Sequence, residues 1–178
     1  MRITKEESLV LLVDVQEKLH PHMENKEELT QKIITLLKGI ATLEIPLMAA
    51  RQYPQGLGDT IGLLRPHITE CYDKITFSCC GNDKLVDKLR ESGRKYVIIA
   101  GIEAHVCVLQ TVIDLKLLGF LPIVVTDAIS SRNHYDYEVA LRRMEYEGAI
   151  LTTVESILFE LCREAGTEVF KTISRLVK

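Results

Sequence analysis

The sequence has no tryptophan and no apolar run long enough to cross a membrane. Its longest apolar runs, such as SLVLLV and FLPIVV, are far shorter than the ~20 residues of a membrane helix, so we predict no membrane partner. The N-terminus MRITKEESLV opens with charges and lacks the apolar core of a secretory signal peptide. Long clusters of Lys or Arg are also absent and the net charge is −3, which argues against a nucleic-acid partner.

Cysteine occurs five times, an odd number without the regular spacing of a disulfide framework. A chain of 178 residues can bury roughly 70% of its unfolded surface and needs no cross-link to fold. We therefore expect free thiols in a reducing compartment, with the cytoplasm as the predicted location. No linker, repeat or low-complexity tract divides the chain, so we predict a single domain over 1–178.

Continuous apolar runs alternate with segments of helical spacing along the chain. The apolar runs predict strands at 8–14, 45–50, 72–77, 96–101, 121–128 and 149–153. The other segments predict helices at 25–43, 82–93, 105–118, 134–147, 154–162 and 167–176, the fifth opened by a capping box of Thr152 and Glu155. Continuous apolar strands are typical of parallel sheets covered on both faces. The prediction is an α/β fold, a three-layer α/β/α sandwich around a six-stranded, mainly parallel, Rossmann-like sheet with strand order 3-2-1-4-5-6.

Three chemically distinct side chains follow predicted strands, where such sheets bind ligands. Asp14 closes the first strand, Lys74 lies in DKITFS, and Cys107 follows the central strand in AGIEAHVC. A thiol at a helix N-terminus faces the positive end of the helix dipole, which favours the thiolate. A carboxylate can take up and return the thiol proton, and a neighbouring ammonium can orient that carboxylate. Backbone N–H groups at the turn could stabilise an oxyanion.

Each of these residues also has a simpler structural interpretation. Cys107 could be a small buried hydrophobic residue, Asp14 a helix cap and Lys74 a solvated side chain. Their spacing does not establish that the three side chains meet. The residues alone therefore indicate an α/β domain with a candidate thiol.

Three motifs in order resemble the isochorismatase-like cysteine hydrolase superfamily. They are D-x-Q in LLVDVQEKL, K-x-x-F-S at 74–78 and GIEAHVCV at 101–108, while RQYPQGLGDT is similar to the subgroup of isochorismatase-domain-containing proteins. The resemblance implies a catalytic triad in which Cys107 attacks a carbonyl carbon, Asp14 acts as general base and then acid, and Lys74 orients Asp14. It also implies a cis peptide bond between Ile102 and Glu103, with the backbone N–H groups of Glu103 and Cys107 as oxyanion donors.

The sequence departs from one branch of that superfamily. Nicotinamidases of the superfamily carry a metal-binding D-x-H after the second strand, and this chain has AARQYPQG there. We therefore predict no catalytic metal and no other cofactor, and we do not expect nicotinamidase activity. The cysteine indicates cleavage of a small amide, imide or ester-like substrate. Since resembling proteins are usually oligomers, we expect a homo-oligomer in which a second subunit completes the pocket.

Four further residues are candidates for substrate contacts: Gln16, Tyr53, Phe77 and His105. His105 lies two positions before Cys107, where helical side chains diverge, so we expect it to line the pocket rather than pair with the thiol. His20 and His22 in LHPHM could bind a metal, but no third ligand is evident.

Two alternatives of a different class remain open. One is a binding or regulatory protein that has the fold without turnover. The other is a redox-active thiol protein in which Cys107 cycles with Cys79 or Cys80. A ribonuclease is less favoured, because the chain is acidic and lacks a basic stripe.

Overall fold

The computed structural model describes residues 1–178 and has one six-stranded sheet. The strands are β1 (Ser8–Val13), β2 (Leu47–Gln52), β3 (Cys71–Lys74), β4 (Tyr96–Ile102), β5 (Leu121–Ser130) and β6 (Ile150–Thr152). All neighbouring strands are parallel, in the order β3-β2-β1-β4-β5-β6. The predicted α/β architecture and strand order are confirmed. No helix combines the length and apolar character needed to cross a membrane.

The chain has seven helices, six of which cover the two faces of the sheet. They are α1 (Lys26–Thr42), α2 (Pro54–Leu57), α3 (Asp83–Glu91), α4 (Leu109–Leu117), α5 (His134–Tyr146), α6 (Val154–Cys162) and α7 (Glu168–Leu176). Apolar residues of α1, α6 and α7 pack on one face, and those of α3, α4 and α5 pack on the other. Val10 and Leu12 of β1 point into the first layer, while Leu9, Leu11 and Val13 point into the second. Because both faces are covered, the strand is apolar at every position except Ser8.

Glycine is required where β4 passes β1. Gly101 pairs with Val13 and has a φ of 125°. A Cβ at this position would lie 2.0 Å from the carbonyl oxygen of Val13. The close approach brings the ends of the two central strands together, and these are the strands that precede Asp14 and Cys107.

Several boundaries differ from the sequence prediction. β2 continues to Gln52, and α2 occupies part of the predicted loop. β3 ends at Lys74 instead of position 77, which leaves the following residues off the sheet. The predicted helix 105–118 begins as a π-helical turn, Ala104–Val108, before α4.

The predicted capping box at α6 is wrong by one residue. Thr152 is the last residue of β6, and its carbonyl oxygen accepts a hydrogen bond from Thr126. The helix cap is Thr153, whose side-chain oxygen accepts from the backbone N–H of Ser156 at 3.3 Å. Thr152 is held by the sheet, so the helix begins after its neighbour.

Candidate active site

The carboxyl edge of the sheet brings Asp14, Lys74 and Cys107 together. Asp14 directly follows β1, Lys74 ends β3, and Cys107 lies in the π-helical turn after β4. The Lys74 ammonium donates to Asp14 Oδ2 at 2.6 Å, and both side chains are almost wholly excluded from solvent. The Cys107 thiol interacts with the same carboxylate. These three predicted residues therefore form one buried cluster.

Asp14 has an unusual backbone conformation and one unused carboxylate oxygen. Its φ of 52° is in the left-handed region, which costs a non-glycine residue on the order of 1–3 kcal/mol. Burial raises the pKa of the carboxyl, and the charge and hydrogen bond of Lys74 oppose that rise. Oδ1 is buried and accepts no hydrogen bond of regular geometry, although the Cys107 thiol is close enough to interact with the carboxylate. An acceptor is thus available beside the sulfur.

Lys74 is surrounded by oxygen acceptors. Besides Asp14, its Nζ donates to the Gln52 side-chain oxygen at 2.7 Å and to the backbone oxygens of Phe77 at 2.8 Å and Thr76 at 3.2 Å. All of these partners accept, so the environment fits the charged ammonium form. The amide of Gln52 is itself fixed, because it donates to the carbonyl of Ile75 at 2.6 Å.

Burial disfavours the thiolate form of Cys107. Only 5% of the residue is exposed, and burial raises its pKa to about 12, with the negative charge of Asp14 adding to the rise and Lys74 opposing it. Burial therefore opposes the thiolate that the helix terminus was expected to favour. Any attack by this sulfur must therefore be coupled to loss of its proton.

The backbone N–H of Glu103 is free. The peptide bond between Ile102 and Glu103 is cis, and the Glu103 carbonyl accepts from the N–H groups of Val106 and Val108, both at 3.1 Å. The Glu103 N–H donates to no group of the chain. An unpaired donor close in the chain to the thiol can bind an oxyanion.

The four candidate substrate contacts differ in burial and in hydrogen bonding. The buried Gln16 amide donates to the carbonyls of Gln52 (2.9 Å) and Gly58 (2.8 Å) and accepts from the Gln52 N–H (2.7 Å). It connects chain segments and has little capacity left for a ligand. Tyr53 and Phe77 are about half exposed and adjoin Lys74, with the Tyr53 N–H donating to the Lys74 carbonyl. His105 pairs with the Ser131 hydroxyl through Nδ1 at 2.8 Å.

Sequence reasoning missed three supporting residues. Gln52 accepts from Lys74, and the only signal in the sequence was its place near the end of a strand. Thr111 donates to the Cys107 carbonyl at 2.7 Å and accepts from the Cys79 N–H at 2.9 Å. Arg132, which follows β5, pairs with Glu103 at 3.0 Å.

His20 and His22, for which no third metal ligand is evident in the sequence, lie in a short 3₁₀ turn. His20 Nε2 lies 2.7 Å from the Thr30 hydroxyl and 3.3 Å from the carbonyl oxygen of Lys26. No three His, Cys, Asp or Glu side chains are grouped so that they could hold a metal ion. All five cysteines are unpaired.

Three cavities of the chain lie away from the thiol. Two have volumes of about 180 Å³ and a third about 150 Å³, and none is lined by Asp14, Lys74 or Cys107.

The sequence and the fold of the chain are similar to those of known proteins. Residues 8–156 match the family model described as the isochorismatase domain. The mouse isochorismatase domain-containing protein 2A is 36% identical over 182 residues, covering 99% of this chain and 85% of that protein. The structure of MAR1 ribonuclease from Caenorhabditis elegans is 37% identical, with a TM-score of 0.93 and coverage of 99% and 92%.

A second solved structure has a similar fold. YcaC from Pseudomonas aeruginosa, described with hexane-2,5-diol and covalent acrylamide, is 26% identical with a TM-score of 0.89, covering 97% of this chain and 89% of that one. The family and the shared fold support a hydrolase. By the family model, by its curated relatives and by its fold, the chain belongs to the isochorismatase family.

Proposed function

We propose that the protein is a cysteine hydrolase that cleaves a small amide, imide or ester-like substrate without a metal or other cofactor. The observation that carries this proposal is the buried contact of Cys107, Asp14 and Lys74, in which Asp14 Oδ1 has no regular hydrogen bond. A nucleophile, a base and a group that orients the base are the components of covalent catalysis. The intermediate is a thioester of Cys107.

The first half-reaction forms that thioester. The sulfur attacks the carbonyl carbon while its proton moves to Asp14, since the raised pKa of Cys107 leaves the thiol protonated beforehand. The raised pKa of Asp14 makes it a stronger base than an exposed carboxylate, and Lys74 holds it in place. The carbonyl electrons move to oxygen, and the Glu103 N–H stabilises the oxyanion with that of Cys107 as the second donor.

The second half-reaction restores the thiol. The oxyanion collapses, Asp14 gives its proton to the departing amine or alcohol, and the product leaves. Asp14 then takes a proton from water as the water oxygen attacks the thioester. Collapse of the second tetrahedral intermediate releases the acid, and the proton returns to sulfur.

We also propose that the active form is a homo-oligomer. Tyr53, Ile75 and Phe77 are exposed apolar residues beside Lys74, with exposed fractions of 51%, 72% and 53%. A second copy covering these residues would bury apolar surface next to the Lys74 side of the site. The five free thiols fit the cytoplasmic location expected from the sequence.

Acrylamide labelling tests the nucleophile directly. Acrylamide alkylates thiols, and a relative of the same fold is described with acrylamide bound covalently. Near neutral pH, mass spectrometry should find Cys107 modified before the exposed Cys71, because Asp14 accepts the proton of Cys107 as its sulfur reacts. Asp14→Asn should slow this labelling about tenfold or more, whereas the exposed control Asp73→Asn should not.

Equal labelling of all five cysteines, or faster labelling of Cys71, would refute the activated thiol. A panel of small amides, imides and esters, with Cys107→Ala as the inactive control, then identifies the bond that is cleaved. Turnover that persists in Cys107→Ala would overturn the mechanism. A selectively labelled Cys107 without turnover of any substrate would favour the idle binding protein.

A ribonuclease is the second candidate, because the C. elegans protein of 37% identity is described as one. The net charge of −3 and the burial of the triad are unfavourable for binding an RNA strand. Incubation of the protein with single-stranded RNA decides between the two. RNA cleavage that disappears in Cys107→Ala would favour the nuclease, and intact RNA would favour the small-molecule hydrolase.

A further inference from the structure

Arg132 holds the side chain of Glu103 by two hydrogen bonds. Its Nε donates to Glu103 Oε2 at 3.0 Å, and its backbone N–H donates to the same oxygen at 3.2 Å. The Glu103 side chain is 8% exposed, whereas that of Arg132 is 62% exposed. A nearly buried carboxylate is therefore neutralised by a guanidinium at the surface.

The segment that carries Arg132 is fixed on both sides. The Ser130 hydroxyl donates to the carbonyl of Glu24 at 2.9 Å, and the Glu24 N–H donates to the carbonyl of Ser131 at 3.1 Å. The Ser131 hydroxyl is also paired with His105, which lies in the same turn as Cys107. Arg132 therefore binds Glu103 from a segment that is itself held by hydrogen bonds.

Two of the three polar groups of Glu103 are occupied. Its carbonyl accepts from the π-helical turn, and its carboxylate accepts from Arg132. Only its N–H lacks a partner. With the other two groups held, the ion pair and the turn both restrict movement of the backbone at Glu103.

We propose that Arg132 is a positioning residue for the oxyanion site, acting through Glu103. By fixing the Glu103 side chain, it keeps the Glu103 N–H directed at the carbonyl oxygen of the substrate. This inference rests on the proposed function, since it needs an oxyanion to form at Cys107. It assigns a catalytic consequence to a surface arginine that touches neither the thiol nor its base.

Two reactions of the same thiol separate this role from a purely structural one. The ester p-nitrophenyl acetate acylates sulfur through a tetrahedral oxyanion and releases p-nitrophenolate, and the thiol proton passes to Asp14. Iodoacetamide alkylates sulfur by direct displacement of iodide, without an oxyanion. Both reactions need the activated thiol, and only the first needs the Glu103 donor.

The variants are Arg132→Ala, Arg132→Lys and the control Arg142→Ala. Arg142 is an exposed arginine of α5 that pairs with Glu138 at 3.6 Å. Arg132→Ala should slow acylation of Cys107 about tenfold, less than the loss of a whole oxyanion donor, because the backbone N–H of position 132 still contacts Glu103. Its alkylation rate should stay within about twofold of wild type, as a displacement forms no oxyanion.

Arg132→Lys should recover part of the acylation rate, and Arg142→Ala should change neither reaction. Equal slowing of both reactions in Arg132→Ala would show a general disturbance of the site and overturn the proposal. Unchanged acylation would overturn it as well. If wild-type Cys107 is alkylated selectively but is not acylated by the ester, the proposed hydrolase fails first, and the inference fails with it.

Discussion

Removing the positive charge of Lys74 should destabilise the fold in a pH-dependent manner. The Lys74 and Asp14 side chains are 1% and 0% exposed and lie 2.6 Å apart. Lys74→Met keeps an apolar chain of similar length but leaves Asp14 as an unpaired buried carboxylate. Breaking a buried pair in this way costs about 3–5 kcal/mol of unfolding free energy at neutral pH.

The sign of the pH dependence follows from Asp14. Burial raises its pKa in the folded wild-type protein, and Lys74 opposes that rise, so Lys74→Met raises it further. The unfolded chain has an ordinary Asp pKa of about 4, and above that value the folded variant binds more protons than the unfolded chain. The wild type follows the same slope up to its own folded Asp14 pKa. Relative to wild type, the variant should therefore lose stability as pH rises between the folded pKa of wild type and the higher folded pKa of the variant, by up to about 1.4 kcal/mol per pH unit.

Urea denaturation at about pH 5 and about pH 8 measures this effect, with wild type at each pH as reference. The double variant Asp14→Asn/Lys74→Met is the matched control. It carries no buried charge at these positions and should show little of the additional pH slope. A loss below about 1 kcal/mol at pH 8, or a loss equal at both pH values, would refute the buried charged pair.

Three further predictions concern the site and its frame. The rate of Cys107 acylation should fall at acid pH, with a midpoint above the usual Asp pKa of about 4. The reason is that a protonated Asp14 cannot accept the thiol proton. A flat pH profile in this range would argue against Asp14 as the base. Gly101→Ala should lose more than about 3 kcal/mol of stability or fail to fold, because its Cβ would meet the Val13 carbonyl. Gly62→Ala is the control, since the space around Gly62 is open. Equal melting temperatures of the two variants would contradict the close approach of β4 and β1. Peroxide should not link Cys107 to Cys79, because the fully buried Cys79 has a raised pKa and little thiolate; an internal disulfide found by mass spectrometry would favour the redox alternative.

The alternation of strands and helices, and with it the layered α/β architecture, was predictable because the signals of these elements are local. β1 shows an apolar run followed by an aspartate, and burial on both faces explains that run. The end of the strand at Lys74 was harder to predict from the sequence. Its apolar residues extend to position 77, but the strand ends at Lys74, and Ile75 and Phe77 are exposed.

Apart from the triad that the family resemblance implied, interactions between distant parts of the chain were not readable from the sequence. Glu103 and Arg132 are 29 positions apart, and only the adjacency of β4 and β5 brings them together. The protonated state of Cys107 depends on how completely the fold removes water from the sulfur. At α6, two adjacent threonines could both act as caps, and one of them is held by β6.

The left-handed backbone at Asp14 restricts which amino acids can occupy this position. Asparagine adopts such a φ about as readily as aspartate, while glutamate, with the same charge and a longer side chain, does so far less often. Asp14→Asn therefore removes the group that accepts the proton and leaves the backbone conformation unchanged. Glutamate at position 14 would shift the carboxylate relative to the thiol and would also strain the backbone. The short side chain of aspartate therefore suits this position both chemically and conformationally.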